Sequence, residues 1–365
     1  MKRLTAYVLG ISLLLAGCGG PVDPDKAQES IQVIAMDTAM LITTYGERSP
    51  AAAYAAEDII RDLEDCLSRT IETSDVSRLN AAGGEAVEVG EDLRFLLREA
   101  ARLSAETKGA FDITVAPVAS AWGFTTDSFR VPSQEELDTL LKLVDYSAVY
   151  DRDVPSADSP AVSLGPGQSI DLGAIVKGYA AGKIVGILRE YEVPRANINL
   201  GGNVLVWGSR PDGTPWRVGI QDPARPDDKN ALAGVLELTD SFAVTSGGYQ
   251  RYFEENGKRY HHIINPATGY PADSGLASVT VAAPAGSQAL WNGTMCDAYS
   301  TALFVMGEEK ALDFWRDHQA DGSPFELVLV TEDSRVIVTG GLAERFTLDE
   351  NSGYTCETVS YETAS

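Results

Sequence analysis

The chain has 365 residues, 44% of them apolar and 8% aromatic, which is enough to build a sizeable core. Its formal net charge is −24, from 53 acidic against 29 basic side chains, so a polyphosphate is repelled and nucleic acid is not an expected partner. A small anionic ligand needs a metal ion or a local cluster of backbone N–H groups to receive it.

The first element in chain order is a targeting segment. Lys2 and Arg3 precede an apolar run from Ala6 to Leu15 that is too short for a stable membrane span. The run ends in Leu15-Ala16-Gly17-Cys18, which resembles the bacterial lipobox. Cleavage there would remove residues 1–17 as a lipoprotein signal peptide and leave Cys18 to carry the lipid, palmitate included. Residues 18–30, with Gly19-Gly20-Pro21-Val22-Asp23-Pro24, read as a lipidated terminus and tether. Loss of Lys2 and Arg3 takes the net charge to −26. The expectation is an exported protein anchored at the periplasmic face of the inner membrane. Its water-soluble body covers 31–350, as one domain or two tightly joined lobes, and 351–365 form a tail. Cys66, Cys296 and Cys356 remain, without a C-x-x-C spacing, so neither a zinc site nor a thioredoxin-like motif is expected. An oxidising compartment permits one disulfide among them, with the pair left open.

Helical spacing then predicts an amphipathic helix over 50–69, entered through Ser49-Pro50, with Ile59, Ile60, Leu63 and Leu67 on one face. A second helix covers 91–107, with Leu93, Leu96, Leu97, Ala100 and Leu103 inward, and stops near Gly109. Ser133 and Glu136 form a capping box for a short third helix, and 151–168 read as a loop or hairpin. A strand at 170–172 breaks at Gly173 into a helix over 174–190, and strands follow at 196–207, 216–221 and 233–239. Asn256-Gly257 marks a hairpin between Tyr252-Phe253 and Tyr260-His261. A strand at 277–283, helices at 288–306 and 308–318, and a hairpin pairing 325–331 with 335–339 complete the chain. The fold class is α+β, a mostly antiparallel sheet with packed helices.

Phosphate-loop, dinucleotide-fold, nucleophile-elbow and H-E-x-x-H signatures are all absent. Asp297 and Thr301 lie four residues apart in a helical run, so both oxygens face the same way. Such an oxygen set suits magnesium better than zinc. Two of the three histidines are adjacent, His261 and His262, so in a strand one faces each side. Asp171 and Lys177 straddle a strand-to-helix junction whose free N–H groups could meet phosphate. Asp112 sits between apolar strand residues in GAFDITVAP, Thr245-Ser246-Gly247-Gly248-Tyr249 reads as a tight turn, and Asn199-Leu200-Gly201-Gly202-Asn203 as a bulge or turn.

The segments TSDVSRLN, GAFDITVAPVASAWGF, IDLGAIVKGYAAG, NINLGGNV, VTSGGYQRYFEENGKRYHHIINPATGYP and CDAYSTALFVMG, in this order, resemble the FAD:protein FMN transferases, the ApbE family of flavin-transfer lipoproteins. The resemblance runs from Met36 to about Gly307 and implies an ApbE-like, T-fold-related architecture. It implies a magnesium-dependent enzyme that moves the FMN half of FAD onto a threonine or serine of an acceptor protein and releases AMP. By family pattern Asp297, Thr301 and the Ala174 carbonyl hold Mg2+, and Lys177 supports the phosphates. Met36, Ala110, Phe111, Asp112 and Asp171 line the FAD site, with backbone around Ile264 closing it. His262 is the candidate base, because imidazole titrates near working pH, and Asp297 is its rival. Four positions depart from the pattern: Asp37 for a common glycine, Thr70 for a frequent tyrosine, and Gly182 and Asn265 for frequent aspartates. An FAD pyrophosphatase and a non-catalytic flavin-carrying lipoprotein are the competing readings.

Overall fold

The computed structural model describes residues 27–124, 126, 128–150, 161–322 and 325–361. The signal segment, Cys18 and most of the tether lie outside the described residues, as do 151–160 of the expected loop. A hairpin comes first, β1 (Gln28–Ala35) antiparallel to β2 (Thr38–Tyr45). Its two-residue loop is Met36-Asp37, with φ of 49° and 57°, the backbone of a type I′ turn. Glycine suits that turn best, and aspartate is among the few residues that tolerate it, which accounts for Asp37 as a replacement.

Helices and short strands follow: α1 (Ser49–Leu67), α2 (Asp75–Ala81), β3 (Val87–Glu88), α3 (Glu91–Glu106), α4 (Ala116–Ala121), α5 (Gln134–Leu140), α6 (Tyr146–Tyr150), β4 (Ala161–Val162) and α7 (Val176–Glu190). The second half carries β5 (Arg195–Asn199), β6 (Asn203–Trp207), β7 (Trp216–Gln221), β8 (Leu232–Leu238), β9 (Ser241–Gly247), β10 (Tyr252–Glu255), β11 (Lys258–His261) and β12 (Leu276–Pro284). It ends with α8 (Ala289–Met306), α9 (Glu308–Ala320), β13 (Glu326–Thr331), β14 (Arg335–Thr339), β15 (Phe346–Leu348) and β16 (Thr355–Val359).

The main sheet runs β1-β2-β5-β6-β9-β12-β13-β14-β16, with every neighbour antiparallel except β14 and β16. Side chains alternate between two cores. Phe242, Val244, Leu327, Leu329 and Ile337 join the helices, whereas Ala243, Val328, Val330, Val336 and Val338 pack under the small β15-β8-β7 sheet. Both faces are covered, so these strands read as unbroken apolar runs instead of polar-apolar alternation.

Helix α8 lies at the centre. Every residue from Asn292 to Ser300 is buried, so it needs no polar stripe. Helix α7 crosses it backbone to backbone. A Cβ on Gly178 would lie 2.1 Å from the Gly293 oxygen, and one on Gly182 would lie 2.7 Å from the Leu290 Cα. Gly182 is thus a close-approach residue in this chain, where an aspartate side chain has no room.

Helices α1, α3, α8 and α9 match the helical spacing, and Leu93, Leu96, Leu97, Ala100 and Leu103 are all buried. Four local expectations are corrected. The apolar run around Asp112 is a 3-10 turn over Ile113–Val115, because Asp112 caps it by accepting from the Thr114 N–H at 2.8 Å. Residues 170–172 form no strand: Asn80 brackets both polar groups of Ile170, and Asp171 N–H donates to the Ile113 carbonyl. The single strand over 196–207 is two, split by Gly201 and Gly202 at φ of 70° and 94°. Thr245, Ser246 and Gly247 belong to β9, and the turn comes after them. The capping box at Ser133 is half made, since Glu136 gives its amide to Ser133 but its carboxylate to Arg130. Within the segment read as a tail, β16 closes the sheet edge. Cys66, Cys296 and Cys356 are free thiols.

Candidate active site

A cleft of about 1280 Å³ opens between the tip of the first hairpin, the 110–115 turn, the start of α7, α8, the end of β9 and the segment after β11. It is lined by Met36, Ala110, Phe111, Asp112, Asp171, Ala174, Lys177, His262, Ile264, Asp297 and Thr301. Residues more than 260 positions apart are therefore neighbours.

The start of α7 is irregular, with a chemical consequence. Gly178 N–H would ordinarily close the first turn on the Ala174 carbonyl, four residues back. It donates instead to Asp297 Oδ2 at 2.8 Å, so the Ala174 carbonyl lacks its helical partner. The Gly178–Gly293 contact brings the two helices close enough for that bond. Asp297 is buried, and burial raises its pKa above the ordinary carboxylate range while Lys177 opposes the rise. Thr301 Oγ lies 3.1 Å from Ser246 Oγ. The Asp297 carboxylate, the Thr301 hydroxyl and the Ala174 carbonyl, which lacks its helical partner, form an all-oxygen set that fits a hard divalent cation. Among the described residues no group of three or more His, Cys, Asp or Glu side chains forms a metal site, so a carbonyl and a hydroxyl must complete this one.

The three histidines differ in what their ring nitrogens meet. His261 is closed at both, with Nε2 2.9 Å from the Ala272 carbonyl and Nδ1 accepting from Ile263 N–H at 3.3 Å. His318 is closed as well, with Nδ1 2.8 Å from the Phe314 carbonyl and Nε2 3.4 Å from the Tyr299 hydroxyl. In His262, Nδ1 lies 3.1 Å from the Arg251 carbonyl, which can only accept, so Nδ1 carries the proton. Its Nε2 bears the lone pair and makes no hydrogen bond to a described residue. The residue is half-buried, and part of it faces the cleft. Burial first, then the charges of Lys177 and Arg251, lower its pKa to about 4. His262 is a neutral base at neutral pH.

An aromatic cluster holds the hairpin that presents His262. The Trp122 indole N–H donates to the Gly269 carbonyl at 2.7 Å, and its ring centroid lies 5.2 Å from Tyr260. Ile264 is buried in the same cluster and bridges to Pro271.

The other expected residues are placed unequally. Lys177 reaches over the α7 start, its ammonium donating to the Gly173 carbonyl at 2.9 Å. Asp112 spends one oxygen on Thr114 in its own turn and the other on the Tyr146 N–H at the start of α6, at 3.1 Å, so it shapes the wall and both oxygens already have a partner. Asp171 accepts from Gly173 N–H at 2.7 Å and pairs with Arg69 at 2.8 Å. Met36 N–H donates to Glu64 at 2.6 Å, which pins the hairpin tip. Asn265 heads a turn by accepting from Ala267 N–H at 2.9 Å, which an aspartate would do equally well.

Arg69, Lys229 and Arg251 also line the cleft and were not singled out by sequence, and Asn203 and Ser246, which line it too, were read only as parts of turns. Arg69 adjoins Thr70, already marked as a departure from the family pattern, and Asn203 ends the NINLGGN segment read as a turn. Lys229, in the β7–β8 connection, carries no local signal.

The model of the ApbE family matches residues 36–323. An FAD:protein FMN transferase of Treponema pallidum (strain Nichols) is 32% identical over 91% of both chains. One of Klebsiella pneumoniae (strain 342) is 32% identical over 90% of this chain and 97% of the relative. Among solved structures, the ApbE protein of Thermotoga maritima superposes with a TM-score of 0.74 at 31% identity, over 89% of this chain and 97% of its own. A flavin transferase ApbE of Vibrio cholerae in which a histidine is replaced by glycine gives 0.70 at 27% identity, over 84% and 95%. In sequence and fold alike, the chain belongs to the ApbE family.

Proposed function

We propose that the protein transfers FMN from FAD to a threonine or serine hydroxyl of an acceptor protein and releases AMP. The observation that carries this reading is a neutral imidazole with an unpartnered Nε2 in the same cleft as Asp297, Thr301 and Lys177. The cleft exceeds the roughly 300–1,000 Å³ of drug-sized sites and has room for a dinucleotide. The names of the relatives support the same activity.

His262 Nε2 takes the proton of the acceptor hydroxyl. Its oxygen forms a bond to the FMN phosphorus, and the phosphorus–oxygen bond to AMP breaks, so that AMP leaves with the bridging oxygen. Asp297, Thr301 and the Ala174 carbonyl would hold Mg2+, which supplies charge neutralisation for the diphosphate and for the AMP that departs. Lys177 adds positive charge beside Asp297 and His262. Closure of His262 Nδ1 by the Arg251 carbonyl fixes the tautomer that makes Nε2 the base.

The same reading places the protein on the periplasmic face of the inner membrane through a lipid on Cys18, with exported or membrane redox subunits as acceptors. Among the described residues no helix is long and apolar enough to cross a membrane.

The test incubates the protein with FAD, Mg2+ and a threonine-bearing acceptor and weighs the products. Transfer gives flavinylated acceptor and AMP, whereas attack by water gives free FMN and AMP. Asp297→Ala or EDTA should reduce both to background. Full turnover in a metal-stripped sample, or FAD recovered intact with the native protein, would overturn the reading.

A further inference from the structure

Asn203 opens β6 directly after the Gly201-Gly202 turn, and its backbone is fixed on both sides. Leu200 N–H donates to its carbonyl at 2.8 Å, Thr245 N–H to the Gly202 carbonyl at 3.1 Å, and Gly202 N–H to Asn199 Oδ1 at 3.0 Å. The side chain is 1% exposed, yet neither Nδ2 nor Oδ1 has a hydrogen-bond partner. Among the described residues the other buried orphans are the hydroxyls of Ser104, Ser274 and Ser278, one atom each, and none of these lines the cleft. Asn203 alone has both ends of an amide outside hydrogen-bonding geometry, and it lies on the cleft wall, near enough to Asp297 for its amide to favour that carboxylate's charged form without closing a bond of normal geometry. Burial of an unpartnered carboxamide is costly, so a native chain that retains one calls for an explanation.

We propose that Asn203 is a nucleotide-binding residue of this site: its Nδ2–H donates to a diphosphate oxygen of the dinucleotide beside Asp297, and its Oδ1 accepts from a ligand hydroxyl or a water that arrives with it. A nucleotide offers acceptors and donors side by side, which is what the two ends of a carboxamide match. A wholly apolar ligand would leave both ends unmade. The assignment rests on the FAD reading of the cleft and adds a residue to it.

The test compares native protein with Asn203→Leu, similar in size and without polar ends. Affinities for FAD and for riboflavin, which has no phosphate, are read in Mg2+ by flavin fluorescence, and Tm is read without ligand. The expected result is an FAD Kd raised about tenfold or more, an unchanged riboflavin Kd, and a Tm equal to or above that of the native protein, because an uncompensated burial has been removed. An FAD Kd within twofold of native overturns the proposal, as does a lowered Tm with equal loss for both ligands, the signature of a structural amide closed by water. If the leucine variant does not fold, Asn203→Asp decides: its carboxylate should repel the diphosphate and weaken FAD by tenfold or more, and native affinity overturns the proposal. Failure of the native protein to bind FAD would instead sink the functional reading itself.

Discussion

Helix α8 presents two faces to two clefts, and the contrast between them separates structure from function. On the far face, Tyr299 O–H donates to Glu106 at 2.6 Å, Arg102 donates to the other Glu106 oxygen at 2.8 Å, and His318 is closed at both nitrogens. The Arg102 guanidinium also lies 4.0 Å from the Trp291 ring. Burial and the Glu106 carboxylate hold the Tyr299 hydroxyl well above its ordinary pKa, so it stays a donor. On the near face, His262 Nε2 makes no hydrogen bond to a described residue, both ends of the Asn203 amide lie outside hydrogen-bonding geometry, and Asp297 Oδ2 accepts from the Gly178 N–H. Both clefts hold a histidine, a carboxylate and aromatic rings. Unfilled hydrogen-bonding capacity is what sets the near one apart.

The sharpest way to break that contrast is to truncate the histidines. His262→Ala should lower kcat by roughly a hundred- to ten-thousandfold with near-native FAD affinity, the range of a lost general base. His261→Ala, which loses a closed contact on the opposite strand face, should cost far less kcat and show itself in thermal stability. Equal losses of kcat in the two variants would say that hydrogen-bond closure does not separate them.

A pH profile tests the same point with an intermediate effect. An imidazole of ordinary pKa, about 6.5, would lose about tenfold of its base form at pH 5.5. His262, lowered to about 4, should keep nearly all of it, so kcat/KM should stay flat to pH 5 and then fall with a midpoint near 4. An acid limb centred near 6.5 would place the ring in water. The linked stability has a definite sign. The unfolded chain takes up the proton near 6.5 and the folded one near 4, so this contribution is full above 6.5 and is lost as pH falls through that window.

The smallest effect is expected on the far face. Tyr299→Phe should leave turnover within twofold while lowering unfolding free energy by about 1 kcal/mol in urea titration, the net worth of one hydrogen bond. A tenfold loss of turnover with unchanged FAD affinity would show that this network reaches the site through α8.

Much of the near face was legible in sequence, for identifiable reasons. Asp297 and Thr301 share a helix, and His261 and His262 share one extended segment, so local periodicity alone predicted that the first pair would face together and the second pair apart. Both pairs are arranged so. The central strands were harder. Leu327 to Val330 are apolar in succession because both sheet faces are buried, and β9 hid behind a glycine-rich ending. Asp112 shows the opposite limit: an acid among apolar residues reads as a ligand contact, yet one oxygen closes its own turn and the other ties that turn to α6.

What sequence by itself determined was the set of donors and their local facing, since helix and strand periods depend only on a residue's own backbone. The ordered family segments added which sets belong together. The tertiary structure decided which of those groups remain open. Gly178 gives its N–H to Asp297 only because glycines on α7 and α8 let two backbones touch, and that diversion leaves the Ala174 carbonyl without its helical partner. The Arg251 carbonyl, eleven residues upstream of His262, decides which of its nitrogens is the base. Hydrogen-bond satisfaction is a sum over non-local neighbours, so chains that differ little in local pattern can differ wholly in which buried atom is left to meet a ligand.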